Sequence, residues 1–165
     1  MAISQKPSPL WNVPFQRNKY FTERDDALQI LHQELQLRDV IALSQPQAIT
    51  GLGGIGKTQM ALEYAYRYGS QYSAVLWVRA DSPVNLVSSF VELSHVLNLP
   101  ESDEQDQNII VAAVLRWLRH NSNWLLIFDN MDNPSVAEPF VPKTGNGHLL
   151  ITTRAKALNQ LAWCV

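Results

Sequence analysis

The sequence predicts an α/β fold in which helices cover both faces of a parallel sheet. Short apolar runs alternate with helical patterns, and the clearest runs lie at 75–78 and 124–128. Continuous apolar runs of this length are typical of parallel strands that are buried on both faces. A glycine-rich stretch at 51–56 separates a short strand from an amphipathic helix. Because right-handed crossovers return the chain to the same sheet, we predict a three-layer, doubly wound architecture.

The other elements follow from local patterns. Apolar residues at helical spacing predict helices near 23–37, 56–69, 83–98, 109–119 and 155–161. Apolar runs bounded by turn residues predict strands at 47–50, 75–78, 124–129 and 148–152, and the start of another at 162–165. The apolar run at 40–43 fits neither pattern. The acidic stretch at 100–107 is predicted to be a solvated loop and not a cation site.

Composition excludes several classes of protein. The chain has 165 residues, which suits one domain, and its net charge of −2 with scattered cationic residues gives no basic stripe for nucleic acid. The single cysteine, Cys164, excludes an internal disulfide and a cysteine-based zinc site, and it favours a cytoplasmic protein. No apolar run approaches the roughly 18 residues that a membrane span needs.

The glycine-rich stretch fits G-x-x-x-x-G-K-[ST], the phosphate-binding P-loop. Its four glycines let the backbone turn tightly, so that N–H groups can face an anion. Lys57 supplies a positive charge for the β- and γ-phosphates, and the Thr58 hydroxyl suits a Mg²⁺ ion that keeps most of its waters. A glycine-rich loop that binds nothing is the competing interpretation. The predicted nucleotide contacts here are Gly51, Gly53, Gly54, Ile55, Gly56, Lys57, Thr58 and Gln59.

The apolar run at 124–128 ends abruptly in Asp129. In a P-loop protein an acid at such a strand end is the Walker B carboxylate, which helps to hold Mg²⁺. The competing interpretation is an acid that merely starts the turn at 129–134, but the P-loop upstream favours the metal-linked role. Since Asp129 must reach the same ion, its strand is expected to neighbour the strand before the P-loop or to lie one strand away.

Polar residues also follow the strand predicted at 148–152. Thr153 and Arg154 come at its carboxyl end, where open α/β sheets bind ligands. Arg154 could therefore reach a γ-phosphate. The competing interpretation is an ordinary surface arginine.

Together these motifs resemble the nucleotide-binding domain of NB-ARC proteins, which belong to the STAND class of signalling ATPases. The resemblance rests on Gly-Leu-Gly-Gly-Ile-Gly-Lys-Thr at 51–58, Leu-Leu-Ile-Phe-Asp at 125–129 and Ile-Thr-Thr-Arg at 151–154. The segment Tyr-Phe-Thr-Glu-Arg at 20–24 is similar to the family's aromatic-x-Gly-Arg motif. The resemblance covers 20–165, after an extended lead-in at 1–19.

The resemblance implies a domain that binds ADP at rest and ATP when active, and that forms homo-oligomers in the ATP state. Lys57 and Thr58 would bind phosphate and Mg²⁺, and Asp129 would be the Mg²⁺-linked acid. Arg154 would sense the γ-phosphate, while Phe21 and Arg24 would lie against adenine. The family's helical and winged-helix subdomains are absent, so we expect a domain that is truncated in or before its last strand.

Two positions depart from the family's pattern. Glu23 stands where the family usually has glycine, and Asn130 stands where many relatives have a second acid. A general base needs a titratable carboxylate near the attacking water, and an asparagine cannot take the proton. Asp132 is the nearest substitute, and we predict slow, Mg²⁺-dependent hydrolysis that suits a switch.

Three other functions remain open from the sequence. A small-molecule kinase would need an acceptor pocket and an arginine-rich lid, but 130–146 offers only Lys143 as a cation. A DNA-linked regulator could share this core, although the dispersed charge disfavours direct DNA contact by this segment. A scaffold that binds nucleotide without hydrolysing it is consistent with Asn130.

Overall fold

A computed structural model describes residues 8–21, 24–43, 55–143, 145–154 and 163–164 of the chain. The strand predicted at 47–50 and the helix predicted at 155–161 lie outside these described residues. The same holds for Gly51, Gly53 and Gly54 of the P-loop motif, so their contacts with phosphate stay predictions.

The described residues form a sheet of six strands in which every pair is parallel. The strand order across the sheet is β1-β3-β4-β5-β2-β6. This arrangement, with helices on both faces, confirms the predicted α/β class with a three-layer parallel sheet. The strands are β1 Leu10–Trp11, β2 Val40–Leu43, β3 Ala74–Arg79, β4 Ser122–Asp129, β5 Asn146–Thr152 and β6 Trp163–Cys164.

Five α-helices connect the strands in the described part of the chain: α1 Asp25–Arg38, α2 Ile55–Tyr68, α3 Pro83–Val96, α4 Gln107–His120 and the short α5 Pro134–Ala137. Among them none is long and apolar enough to cross a membrane. Helix α4 begins before the predicted residue 109, because the Asp106 side chain caps it by accepting a hydrogen bond from the Asn108 N–H. Helix α1 begins at Asp25, two residues after the predicted start, and Arg24 precedes its first turn.

The run at 40–43, which the sequence left unclassified, forms β2. It is only 4 residues long, too short for its periodicity to distinguish a strand from a helix. It pairs with β5, and β5 pairs in turn with β4. Strand β5 therefore lies between β4, which ends in Asp129, and β2. The strand predicted at 47–50, directly before the P-loop, lies outside the described residues, so its expected position relative to β4 stays a prediction.

Alternate residues of β3 and β4 enter two separate hydrophobic cores. Leu76 and Phe128 pack under α3 and α4, whereas Val75 and Ile127 pack under α1 and α2. Both faces are thus buried, which explains why these strands read as continuous apolar runs. A hydrophobic core packs on each face of the sheet, so the polar residues at the strand ends follow well-packed strands.

The lead-in adds an edge strand to the sheet. Strand β1 pairs with β3, and the Trp11 ring packs against Tyr66 of α2 with ring centroids 5.1 Å apart. The Arg17 guanidinium forms an ion pair with the Glu63 carboxylate at 2.7 Å. The described part of the lead-in therefore packs on the domain and is not a separate segment.

Candidate functional site

The candidate site lies at the carboxyl edge of the sheet. Because the strands are parallel, β3, β4 and β5 all end at this edge, and Arg79 at the end of β3 pairs with Asp129 at the end of β4. The first turn of α2 reaches the same edge, since the Thr58 hydroxyl hydrogen-bonds to Asp129. Residues from four elements therefore meet where open parallel sheets place their ligands.

Asp129 is the centre of this cluster. Its Oδ1 atom accepts hydrogen bonds from the Thr58 hydroxyl at 2.8 Å and from the Thr152 hydroxyl at 2.6 Å. The residue is only 5% exposed, and this burial, reinforced by the charge of Asp81, raises the pKa of its carboxyl group. A buried carboxylate is costly unless a cation or hydrogen bonds compensate it. The two hydroxyl groups supply part of this compensation, and both oppose the rise in the pKa of Asp129.

Lys57 lies in the same turn of α2 as Thr58, whose hydroxyl contacts Asp129. Its ammonium group donates a hydrogen bond to the backbone carbonyl of Thr153 at 2.6 Å. Partial burial lowers the pKa of Lys57, an effect that the charge of Asp132 opposes and the charge of Arg154 reinforces. The amine is therefore held at the edge of the sheet by the segment that carries the Thr-Thr-Arg motif.

Arg24 packs against the beginning of α2. A methyl group built on Gly56 would lie 3.3 Å from Nη1 of Arg24, so the guanidinium covers this glycine. Phe21 packs against the core beneath α1 and α2. The predicted contacts of Arg24 and Phe21 with adenine stay predictions. The buried Oε1 atom of Gln59 has no hydrogen-bond partner within the described residues.

Arg154 and Asp132 form a doubly hydrogen-bonded ion pair. Nε and Nη2 of Arg154 both donate to Oδ2 of Asp132, at 3.0 and 2.8 Å. The backbone N–H of Arg154 donates to Oδ1 of the same carboxylate at 2.8 Å. Although burial opposes it, this contact with Arg154 holds the pKa of Asp132 below its ordinary value. A carboxylate with a lowered pKa is a weaker proton acceptor, so hydrogen bonding to Arg154 competes with the predicted role of Asp132 as a base.

Two residues of the site were given no role from the sequence, although Thr152 belongs to the Thr-Thr-Arg motif. Thr152 donates to Asp129 and also accepts the Asn130 N–H at 2.9 Å, so it fixes the carboxylate against the following turn. Asp81 follows β3, and its charge acts on Asp129. The available signal was positional, because both residues are polar and lie at the carboxyl ends of apolar strands.

The residues present fit a Mg²⁺ ion that is shared with a nucleotide. The described residues contain no group of three or more His, Cys, Asp or Glu side chains that could hold a metal ion. Mg²⁺ beside phosphate does not need such a cage, because it keeps waters and takes one or two carboxylates together with phosphate oxygens. The Thr58 hydroxyl and the Asp129 carboxylate, 2.8 Å apart, would supply oxygen ligands of this kind.

Comparison with known proteins gives two distant relatives. No family model matches the sequence. Across 87% of its length the chain is 30% identical to a nucleotide-binding leucine-rich repeat (NLR)-like protein of Hyaloscypha variabilis. Across 87% it is 24% identical to the regulatory protein AfsR of Streptomyces coelicolor. The chain spans only 16% and 15% of these relatives, respectively, so the likeness concerns one segment of each and agrees with the motif-based resemblance to NB-ARC domains.

Proposed function

We propose that the chain is the ATP/ADP-binding switch domain of a STAND or NLR-like signalling protein. The observation that carries this proposal is the contact of Thr58 with Asp129, beside Lys57, at the carboxyl edge of a parallel sheet. A P-loop motif and a strand-end acid that are 71 positions apart in sequence are thus in direct contact. The nucleotide-binding NLR-like relative supports the same function.

The nucleotide phosphates would lie against the first turn of α2. Lys57 would contact the β- and γ-phosphates, and the N–H groups that begin α2 would add a favourable dipole. Arg24, which covers Gly56, would add a second cation at the same turn. Bound Mg²⁺, held by Thr58 and Asp129, would neutralise phosphate charge. The buried carboxylate of Asp129 would then gain the cation that its environment favours.

The switch would depend on the γ-phosphate. We propose that the domain holds ADP at rest and ATP when active, that Arg154 contacts the γ-phosphate, and that the ATP state forms homo-oligomers. Hydrolysis would be slow, because Asn130 cannot accept a proton and Asp132 already binds Arg154. We further propose a cytoplasmic protein in which this segment makes no direct contact with nucleic acid.

The mass of the intact protein in solution tests the switch. With Mg²⁺ and a non-hydrolysable ATP analogue we expect a multiple of the monomer mass, and with ADP we expect the monomer. Phosphate release from ATP should be slow and should require Mg²⁺. An identical mass with both nucleotides would contradict nucleotide-driven assembly.

A nucleotide-binding regulator without hydrolysis is the second candidate function. Asn130 and the engaged Asp132 favour it, and AfsR is named a regulatory protein. The two candidates differ in one outcome. A change in mass on ATP binding with no Mg²⁺-dependent phosphate release would support the second candidate over the first.

A further inference from the structure

The turn after β4 is fastened to the end of β5 by backbone and side-chain hydrogen bonds. The Met131 N–H donates to the carbonyl of Thr152 at 2.9 Å, and the Thr153 hydroxyl donates to the carbonyl of Met131 at 2.8 Å. The Arg154 N–H then donates to Oδ1 of Asp132 at 2.8 Å. These bonds extend the contact between β4 and β5 beyond both strands, so the Asp132 carboxylate has a fixed position relative to the backbone.

The guanidinium of Arg154 is the less constrained member of the ion pair. The Arg154 side chain is 69% exposed, whereas that of Asp132 is 32% exposed. A long side chain with several rotatable bonds can leave a carboxylate that is itself held by the backbone. The charge of Asp132 also acts on a second cation, since it opposes the lowering of the Lys57 pKa that burial causes. One carboxylate thus pairs with Arg154 and acts electrostatically on Lys57, the two cations that the proposed function assigns to the γ-phosphate.

A γ-phosphate and the Asp132 carboxylate would compete for the same donors. Guanidinium binds carboxylate and phosphate oxygens in the same bidentate manner, through pairs of parallel N–H groups. In the structure the Nε–H and Nη2–H groups of Arg154 both donate to one carboxylate oxygen, Oδ2 of Asp132. ADP has no γ-phosphate to draw the guanidinium away, so the ion pair and bound ADP are compatible.

We propose that Asp132 is a specificity-determining residue that takes the place of the γ-phosphate, holding Arg154 in the ADP state and thereby lowering the preference of the site for ATP. This inference rests on the proposed function. Asp132 acts through Arg154 and is therefore a positioning residue. This role of Asp132 differs from proton transfer.

The substitution Asp132→Asn tests the proposal in the intact protein, with ATP and ADP affinities measured in the presence of Mg²⁺. The amide keeps an oxygen that can accept the Arg154 N–H, but it loses the charge that binds the guanidinium. Exposed ion pairs are weak, so we expect ATP to bind only about two- to fivefold more tightly. The ADP dissociation constant should change by less than about twofold, because ADP does not compete for Arg154. An unchanged or lowered preference for ATP would overturn the proposal.

Further variants separate this effect from a general structural one. Asp132→Glu keeps the negative charge, so its preference for ATP over ADP should be closer to that of the parent than the preference of Asp132→Asn is. In an Arg154→Ala background, Asp132→Asn should no longer change the preference for ATP over ADP, and the same tightening of ATP binding there would overturn the proposal.

Glu101→Gln is the control variant. It breaks an exposed ion pair of 2.7 Å with Arg116, remote from the site, and should leave both affinities unchanged. A parent protein that binds neither nucleotide would contradict the proposed function itself, whereas normal ADP binding with an unchanged preference would contradict only this inference.

Discussion

Replacing Lys57 by alanine is expected to weaken ATP binding by about 10- to 100-fold, since a hydrogen bond to a charged group contributes roughly 1.5–3 kcal/mol. In thermal unfolding, a 100-fold loss of affinity removes up to about 2.7 kcal/mol of ligand-induced stabilisation. The ammonium group of Lys57 points into the site, where it donates to the carbonyl of Thr153. We expect the unfolding temperature to rise with ATP in the parent protein and to change little in the variant.

Lys143→Ala is the matched control for this experiment. Lys143 is exposed and lies in the segment between α5 and β5, so its removal deletes the same charge without touching the P-loop helix. It should leave the ATP-induced rise intact. An equal rise in the Lys57→Ala variant would remove Lys57 from the phosphate site.

Asp129→Asn is expected to have opposite effects on the free protein and on Mg²⁺ binding. Burial raises the pKa of Asp129, so the folded protein binds more protons than the unfolded chain between the ordinary and the raised pKa. Stability therefore falls as pH rises through that range. Asparagine does not titrate, and its oxygen can still accept from Thr58 and Thr152. Without metal or nucleotide the variant should be more stable than the parent at pH 8, and the difference should shrink towards pH 4.

The same substitution, Asp129→Asn, should weaken the binding of Mg²⁺ in the presence of ATP. Loss of even an indirect partner of a metal typically costs 10- to 100-fold in affinity, so loss of a direct ligand should weaken Mg²⁺ binding in the presence of ATP by at least about tenfold. Thermal unfolding with ATP, across a Mg²⁺ titration at pH 7.5, measures the effect. Asp106→Asn makes the same chemical change at an exposed helix cap and serves as the control. A variant that is less stable than the parent at pH 8 and retains the full response to Mg²⁺ would contradict both expectations.

Much of the fold could be predicted because the sheet strands are strongly patterned. The continuous apolar runs of β3 and β4 follow from burial on both faces. Helix α3 begins at the predicted residue 83, where the Ser82 hydroxyl caps it by accepting a hydrogen bond from the Asn85 N–H. Strand β2 could not be assigned from its 4 residues, because its pairing with β5 is a long-range contact that local pattern does not encode. The predicted strand at 47–50 remains untested.

The candidate site was predictable in its residues but not in all its contacts. Thr58, Asp129 and Arg154 were selected by position, since each follows a glycine-rich loop or an apolar strand, and the structure places Thr58 against Asp129. The ion pair between Asp132 and Arg154 was not predicted, because it depends on the packing of the turn after β4 against the residues that follow β5. The hydrogen bond from Thr152 to Asp129 depends on the same meeting of β4 and β5.

Calorimetric titration of the intact protein with ATP, with and without Mg²⁺, tests most directly whether Lys57, Thr58 and Asp129 form one nucleotide site. We predict saturable binding of one ATP per chain that strengthens with Mg²⁺ and that both Lys57→Ala and Asp129→Asn weaken. No binding, or binding that neither the removal of Mg²⁺ nor these substitutions alters, would contradict the assignment of this edge of the sheet to ATP.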